Sequence, residues 1–405
     1  MKVGILGHGF ISWRGGVDFL RLLAESLNAE DPNIEIHFLF PISGPIYSTR
    51  LALKGLKCAV FKMFGRKCTK GDFSIQDSKD FASNLNGNLF FHFIDFGNYA
   101  IRRITNRYQL DVLLPSIAPL VGQRVPWIGY IYDYQHAYFP EFFSQSEIAY
   151  RVKKFSLMLS SAKFVLVNAQ AVAEDVRRFN PESTAKIVVL PFSAPPNPSW
   201  LDAAPPNLEK YRINGRYFII SNQFWQHKNH VTAWRALAIV LHFYPDIELV
   251  CTGWTHDYRK PEYFVSLEKL AHEFRINHRL HILGLIPKIE QIGLIRAATA
   301  MIQPSLFEGG PGGGAVFDAI SLGVPCIVSD ITVNRELNDS LVVFFEAGDH
   351  KSLARKMIAI LETDPAQLRK SRENILNEGY ARSRKCGQKI ISMINDVIEL
   401  SDTEV

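Results

Sequence analysis

Short apolar runs alternate with longer amphipathic stretches along the 405-residue chain. Val3 to Leu6, Ile34 to Phe40, Leu89 to Ile94, Val112 to Pro115, Trp127 to Tyr132 and Phe164 to Asn168 read as strands. Helical patterns separate several of them, over Val17 to Leu27, Ser146 to Ser161 and Ala169 to Arg178. Strands that alternate with helices predict a mostly parallel sheet with helices packed on it. After a weak strand-like run near 187–190 the periodicity lapses. Six prolines fall between Pro191 and Pro206, and that stretch is expected to be an interdomain linker.

The alternation then restarts and is more regular. Strands are expected at Tyr217 to Ser221, Ile247 to Cys251, Leu280 to Leu283, Ala300 to Gln303 and Cys326 to Ser329. Helices are expected at Asn229 to His242, Pro261 to Phe274, Lys288 to Ala297, His350 to about Leu361, from Ala366 onward, and finally from about Ser383 to Glu399. The expected fold class is therefore α/β, with two Rossmann-like domains, 1–195 and 207–382, facing each other across a cleft.

Composition narrows the possibilities. No apolar run approaches the length of a membrane-spanning helix, and the chain opens directly on a strand rather than a signal peptide, so a cytoplasmic protein is expected. The five cysteines, Cys58, Cys68, Cys251, Cys326 and Cys386, are scattered without a Cys-x-x-Cys pair, which supports neither a disulfide framework nor a zinc site. Aromatic residues make up 12% of the chain, including 28 Phe, enough that some are expected to line a groove. The net charge of +5 is modest, and no nucleic-acid partner is expected. From Arg50 to Lys70, however, seven basic residues and no acidic one alternate with apolar positions. Such a segment suits an anionic membrane surface or an anionic acceptor.

Three places carry candidate chemistry. The strongest is Gln303-Pro304-Ser305-Leu306-Phe307-Glu308, followed by Gly309 to Gly314 with five glycines in six positions. A strand that passes through a carboxylate and a glycine loop into a helix makes an anion site suited to a diphosphate, with Gly310, Gly312, Gly313 and Gly314 as candidate contacts. Glu308 is placed to accept hydrogen bonds from sugar hydroxyls, and Asp318, further into the helix, to reach a ribose. The second place is the string from Asn222 to His230. There Lys228 sits where a cation can offset charge on a departing nucleotide. The third is Tyr132-Asp133-Tyr134-Gln135-His136, which sets His136 to face the cleft. A weaker signal is the Gly15-Gly16 pair after the first strand, where backbone can approach a phosphate.

These motifs together resemble the retaining GT-B glycosyltransferases of family 4, over essentially the whole chain. The Asp-Tyr-Gln-His stretch at 133–136 and the Ser-Asn-Gln-Phe-Trp-x-His-Lys-Asn-His string at 221–230 are similar to those of one bacterial branch. The resemblance implies a metal-independent transfer of a sugar from a nucleotide diphosphate sugar, a UDP- or GDP-sugar, with retention at the anomeric carbon. The acceptor it implies is a saccharide or lipid-linked molecule in cell-surface glycan synthesis.

Residue by residue, it places Gly15 and Gly16 near the donor diphosphate and His136 in the cleft. Lys228 is the lysine of the phosphate-binding pair, and Gln223 stands where the family has an arginine. The base-binding loop corresponds to Gly284-Leu285-Ile286-Pro287. Of the family's two glutamates, with seven residues between them, Glu308 matches the first. Asp318 falls at the second with nine residues between, so this loop is two residues longer. The terminal helix is expected to cross back onto the first domain. Rival readings are a non-catalytic sugar-nucleotide-binding subunit and a sugar-nucleotide epimerase. A nicotinamide-dependent dehydrogenase is disfavoured, because the first loop lacks the dinucleotide fingerprint.

Overall fold

The computed structural model describes residues 1–11, 14–41, 81, 85–94 and 97–403. The basic stretch at 50–70, with Cys58 and Cys68, lies outside the described residues. Among the described residues, seven strands form a parallel sheet: β1 (Lys2–Leu6), β2 (Glu35–Pro41), β3 (Asn88–Ile94), β4 (Val112–Ser116), β5 (Trp127–Tyr130), β6 (Phe164–Val167) and β7 (Lys186–Val189), in the order β3-β2-β1-β4-β5-β6-β7. A second parallel sheet contains β8 (Tyr217–Ser221), β9 (Glu248–Thr252), β10 (Leu280–Gly284), β11 (Ala300–Gln303), β12 (Cys326–Ser329) and β13 (Val342–Phe345), in the order β10-β9-β8-β11-β12-β13. Both orders reverse direction beside the first strand of the sheet, as in Rossmann-like folds. The chain is an α/β protein of two such units.

The helices follow from where apolar side chains fall. Helix α1 (Arg14–Glu30) buries Leu20, Leu23, Ala24 and Leu27 on one stripe against Val3, Ile5 and Phe38. Helices α2 (Asn98–Tyr108), α3 (Gln145–Ser161) and α4 (Gln170–Phe179) complete the first unit among the described residues. In the second, α5 (His230–Val240), α6 (Tyr263–Glu273), α7 (Lys288–Ala297), α8 (Gly313–Ser321) and α9 (His350–Glu362) cover the sheet. Trp234, fully buried on α5, packs among Phe218, Phe224 and Leu267.

The terminal helix α10 (Arg372–Asp402) is one unbroken element of 31 residues, where a separate final helix from Ser383 was expected. Its N-cap Ser371 accepts a hydrogen bond from the Asn374 N–H at 3.2 Å, so the helix starts at the cap despite the polar run that follows. Its far half buries Cys386, Ile390, Met393, Ile394 and Val397 in the core of the first unit. The expected linker over 191–206 contains the short helix Pro198–Leu201 and is otherwise irregular.

A second departure concerns Gly15 and Gly16. They lie within the first turn of α1, which begins at Arg14, rather than in a loop before a helix starting at Val17. Glycine is tolerated there because the first-turn amides have no intrahelical partner to lose.

Candidate functional site

In an open parallel sheet a ligand crevice forms outside the carboxyl ends of the strands, where the strand order reverses. In the second unit that point lies between β8 and β11. Asn222 follows β8, and Gln303 ends β11. The Asn222 amide donates to Gln303 Oε1 at 2.6 Å. Gln303 Nε2 in turn donates to Glu308 Oε1 at 2.7 Å, and Lys228 Nζ donates to the same oxygen at 2.5 Å. Lys228 and Glu308 are 13% and 8% exposed, so the pair is largely desolvated but still reaches the cleft. Lys228 belongs to a 3-10 turn, Gln226–Lys228, and α5 begins two residues later, not at Asn229 as expected.

Glu308 leads into the glycine loop. Gly312 caps α8, which opens on Gly313, and no side chain fills the cap. The first amides of α8 thus lack intrahelical partners, the arrangement that receives an anion. Gly312 N donates to Asn334 Oδ1 at 2.8 Å, which anchors the turn. Gly313 has φ +65°, and a Cβ there would lie 3.3 Å from Glu308 Oε2 and 3.4 Å from Gln303 Nε2. The left-handed backbone favours glycine at 313, and a side chain there would press on Glu308 and Gln303. Gly314 faces open space, and Gly310 packs on Asn168 of the first unit. Gly309 is tighter still: a Cβ would stand 2.5 Å from the Tyr132 carbonyl oxygen and 3.1 Å from Asp133 Cβ. The loop therefore touches the first unit with its leading half and opens α8 with its trailing half.

The expected base and ribose contacts fall on one side of this loop. Gly284 ends β10 with open space around it, while Ile286 packs into the apolar cluster beneath. Lys288, at the start of α7, ion-pairs with Asp318 on α8. Asp318 is thereby tied to the Gly284–Ile286 loop through a lysine. Gln223 is also engaged, since its Oε1 accepts from Trp254 N at 2.8 Å and joins the loops after β8 and β9. Gly15 is exposed and Gly16 buried at the start of α1.

On the opposing wall, Asp133 Oδ1 accepts from Gln135 N at 2.9 Å and starts the short helix Gln135–Tyr138. Burial pushes the Asp133 carboxyl up, and the carboxylate of Glu308 across the cleft adds to this. His136 is only 4% exposed. Its ring stacks on Tyr134 and meets Phe155 and Phe143 edge-on, and its Nδ1 is buried without a hydrogen-bond partner. Burial pushes the imidazole down to about 4, with Arg151 adding to the effect, so the ring is neutral near pH 7.

Between its ordinary value of 6.5 and about 4, the unfolded chain binds a proton at His136 that the folded chain does not. The stabilising contribution is present above pH 6.5 and is lost as pH falls towards 4. Urea denaturation at pH 7 and at pH 5 should show a smaller acid-induced loss for His136→Gln than for the wild type. Equal losses would mean that the ring titrates as a solvated histidine.

Two charged residues that sequence reasoning did not single out complete the cleft. One is Asp133 itself. The other is Arg259, in the loop after β9, with a side chain 8% exposed and held by Asp257 at 3.1 Å. Its Nη1 lies 3.4 Å from Gln135 Oε1, and its guanidinium sits over Trp225, Phe142 and Phe143. Phe307 meets Tyr138 and Phe139 nearby, so part of the aromatic excess lies where the two units touch. The available signal was an arginine among Trp254, Tyr258 and Asp257 on the carboxyl side of a strand. Glu336 was missed as well: its two oxygens accept Gln170 N and Ala171 N, both at 2.8 Å, at the start of α4.

Among the described residues, no cluster of His, Cys, Asp and Glu is arranged to hold a metal ion, and no helix is long and apolar enough to cross a membrane.

Residues 207–382 match the sequence model of the family described as "Glycosyl transferases group 1". Solved structures share the architecture over nearly the full length. Sucrose-phosphate synthase from Thermosynechococcus elongatus is 13% identical, with 99% of this chain and 100% of that one covered and a TM-score of 0.64. HepE from Anabaena, in complex with UDP-glucose, is 15% identical, with 100% of both chains covered and a TM-score of 0.58. A glycosyltransferase from Rickettsia africae ESF-5 is 15% identical, with 98% of both chains covered and a TM-score of 0.59. At these identities the likeness shows the fold, the two-Rossmann GT-B architecture. No curated protein matches the chain.

Proposed function

We propose that this protein is a retaining, metal-independent glycosyltransferase of family 4. It would move a sugar from a UDP- or GDP-sugar to a saccharide or lipid-linked acceptor. The observation that carries this reading is the hydrogen-bonded chain Asn222, Gln303, Glu308 and Lys228, set beneath the uncapped start of α8 and turned towards the first unit. A cation, a carboxylate and the start of a helix with no side-chain cap converge at one switch point, which suits a diphosphate and the sugar attached to it. The group 1 match over 207–382 and the UDP-glucose bound by HepE support the same assignment.

In this mechanism the acceptor oxygen forms a bond to the anomeric carbon as the bond from that carbon to the diphosphate breaks. The acceptor proton passes to the departing phosphate oxygen on the same face. Lys228 and the amides that open α8 beyond the anchored Gly312, Gly314 first among them, stabilise the charge that develops there. The ammonium of Lys228 has three N–H donors, and Glu308 uses one. Glu308 orients sugar hydroxyls, with Gln303 fixing its rotamer. His136, held neutral, donates to or accepts from the sugar without adding charge. Gly284, Ile286, Asp318 and its partner Lys288 receive the base and ribose. Gln223 acts by shaping the loop rather than by charge. The acceptor enters from the Gly15-Gly16 side, at the cytoplasmic face of a membrane reached through the basic stretch at 50–70.

A thermal-shift panel of nucleotide sugars tests the reading. A ligand that binds only the folded state adds about 2.7 kcal/mol at a hundredfold excess over its Kd. One nucleotide diphosphate sugar should raise the melting temperature clearly above the rest of the panel. No shift with any donor at millimolar concentration would contradict the function.

A further inference from the structure

We propose that a groove along α10, outside the cleft, binds a small phosphorylated ligand. The groove has a volume of 730 Å³. That falls within the range of roughly 300–1,000 Å³ typical of small-molecule sites. Leu190 and Phe192, where the chain leaves β7, form an apolar wall, and Pro311 of the glycine loop forms part of the floor. Arg382, Lys385 and Lys389 of α10 line the other side. Their spacing of three and four residues puts all three on one face of the helix.

The charge in this groove is unbalanced. Glu336 is the carboxylate among the lining residues, and both of its oxygens are taken by the amides of Gln170 and Ala171. Lys385 and Lys389 have no carboxylate partner among the described residues, and both are exposed. Arg382 is held through Nη1 by Asp339 at 2.9 Å and Glu378 at 3.5 Å, while its Nε is buried and lacks a partner, so the uncompensated charge is that of the two lysines. Two lysines four residues apart on a helix repel each other, and an anion between them relieves this. Two mobile ammonium groups beside a fixed guanidinium suit the multiple charge and oxygens of a phosphate better than a single carboxylate. The apolar wall takes the uncharged part of the molecule. The same chemistry is offered by a soluble sugar phosphate and by a phospholipid headgroup.

The test uses the full chain and two kinds of probe. Glucose 6-phosphate is titrated calorimetrically, and vesicles of phosphatidylglycerol in phosphatidylcholine are tested by co-flotation. Binding to the first identifies a soluble ligand, and flotation that falls in the lysine variant identifies a lipid headgroup, since flotation through the stretch at 50–70 alone would survive that variant. In either case the Lys385→Gln/Lys389→Gln variant should bind about tenfold more weakly. Both lysines are exposed, so the fold should be unaffected, and melting temperature checks this. Lys228→Ala should leave this binding unchanged, which separates the groove from the cleft and from the function proposed for it. The inference is overturned if neither probe binds, if the lysine variant binds as well as the wild type, or if Lys228→Ala abolishes the binding instead.

Discussion

Replacing Lys228 by alanine should lower sugar transfer by about 10²- to 10³-fold while the chain remains folded. The turn that carries Lys228 is held by its backbone, with Lys228 N donating to Trp225 O at 2.8 Å, and does not need the side chain. Glu308 loses one partner but keeps the hydrogen bond from Gln303 at 2.7 Å and stays next to the cleft. The substitution should therefore destabilise the protein by about 1–3 kcal/mol, below the cost of orphaning a fully buried charge. The loss should fall mainly on kcat, because the charge Lys228 offsets grows as the diphosphate leaves. Steady-state kinetics alongside a melting curve check both parts. Turnover near the wild-type rate would remove Lys228 from the site.

Gly309→Val should impair transfer through a different route. The added Cβ would lie 2.5 Å from the Tyr132 carbonyl oxygen, a backbone atom that cannot swing aside. The contact would hold the second unit away from Asp133 and the aromatic residues around His136. Overpacking of this kind costs about 1–3 kcal/mol, equivalent to about 5- to 150-fold in kcat/KM if it falls on closure. Nucleoside diphosphate binding should change much less, since Lys228 and the start of α8 belong to the second unit. Calorimetry with UDP and GDP, set beside kinetics, separates the two effects. Equal losses in binding and turnover would mean that Gly309 acts on the donor rather than on the approach of the two units.

Much of this architecture was legible because parallel strands covered on both faces read as short apolar runs. Ile36 to Phe40 and Phe164 to Val167, for example, are almost fully buried. Helix α2 was missed because its apolar stripe, Ile101, Ile104 and Tyr108, is short and interrupted by arginines and asparagines, with only Ile101 and Thr105 buried. Strand β13 was missed because it lies at a sheet edge, half-exposed, with Val343 turned to solvent. Glu308 and Lys228 could be chosen from the sequence because each follows a strand end locally, and the fold brings them into contact.

Arg259 with Gln135, and Glu336 with the start of α4, join residues 124 and 166 positions apart, so no local pattern announces them. Asp318 shows the same limit in reverse. Its place on the helix was legible, but Lys288, 30 residues away, takes its carboxylate. Gln223 read as a missing charge, whereas in the fold its oxygen secures the loop after β9.

A crystal structure with a bound nucleoside diphosphate would test the donor site most directly. The diphosphate should lie within hydrogen-bonding distance of Lys228 Nζ and the amides that open α8, with the base beside Gly284 and Ile286. A diphosphate held at the start of α1, or in the groove along α10 with the β8–β11 switch point empty, would contradict the assignment.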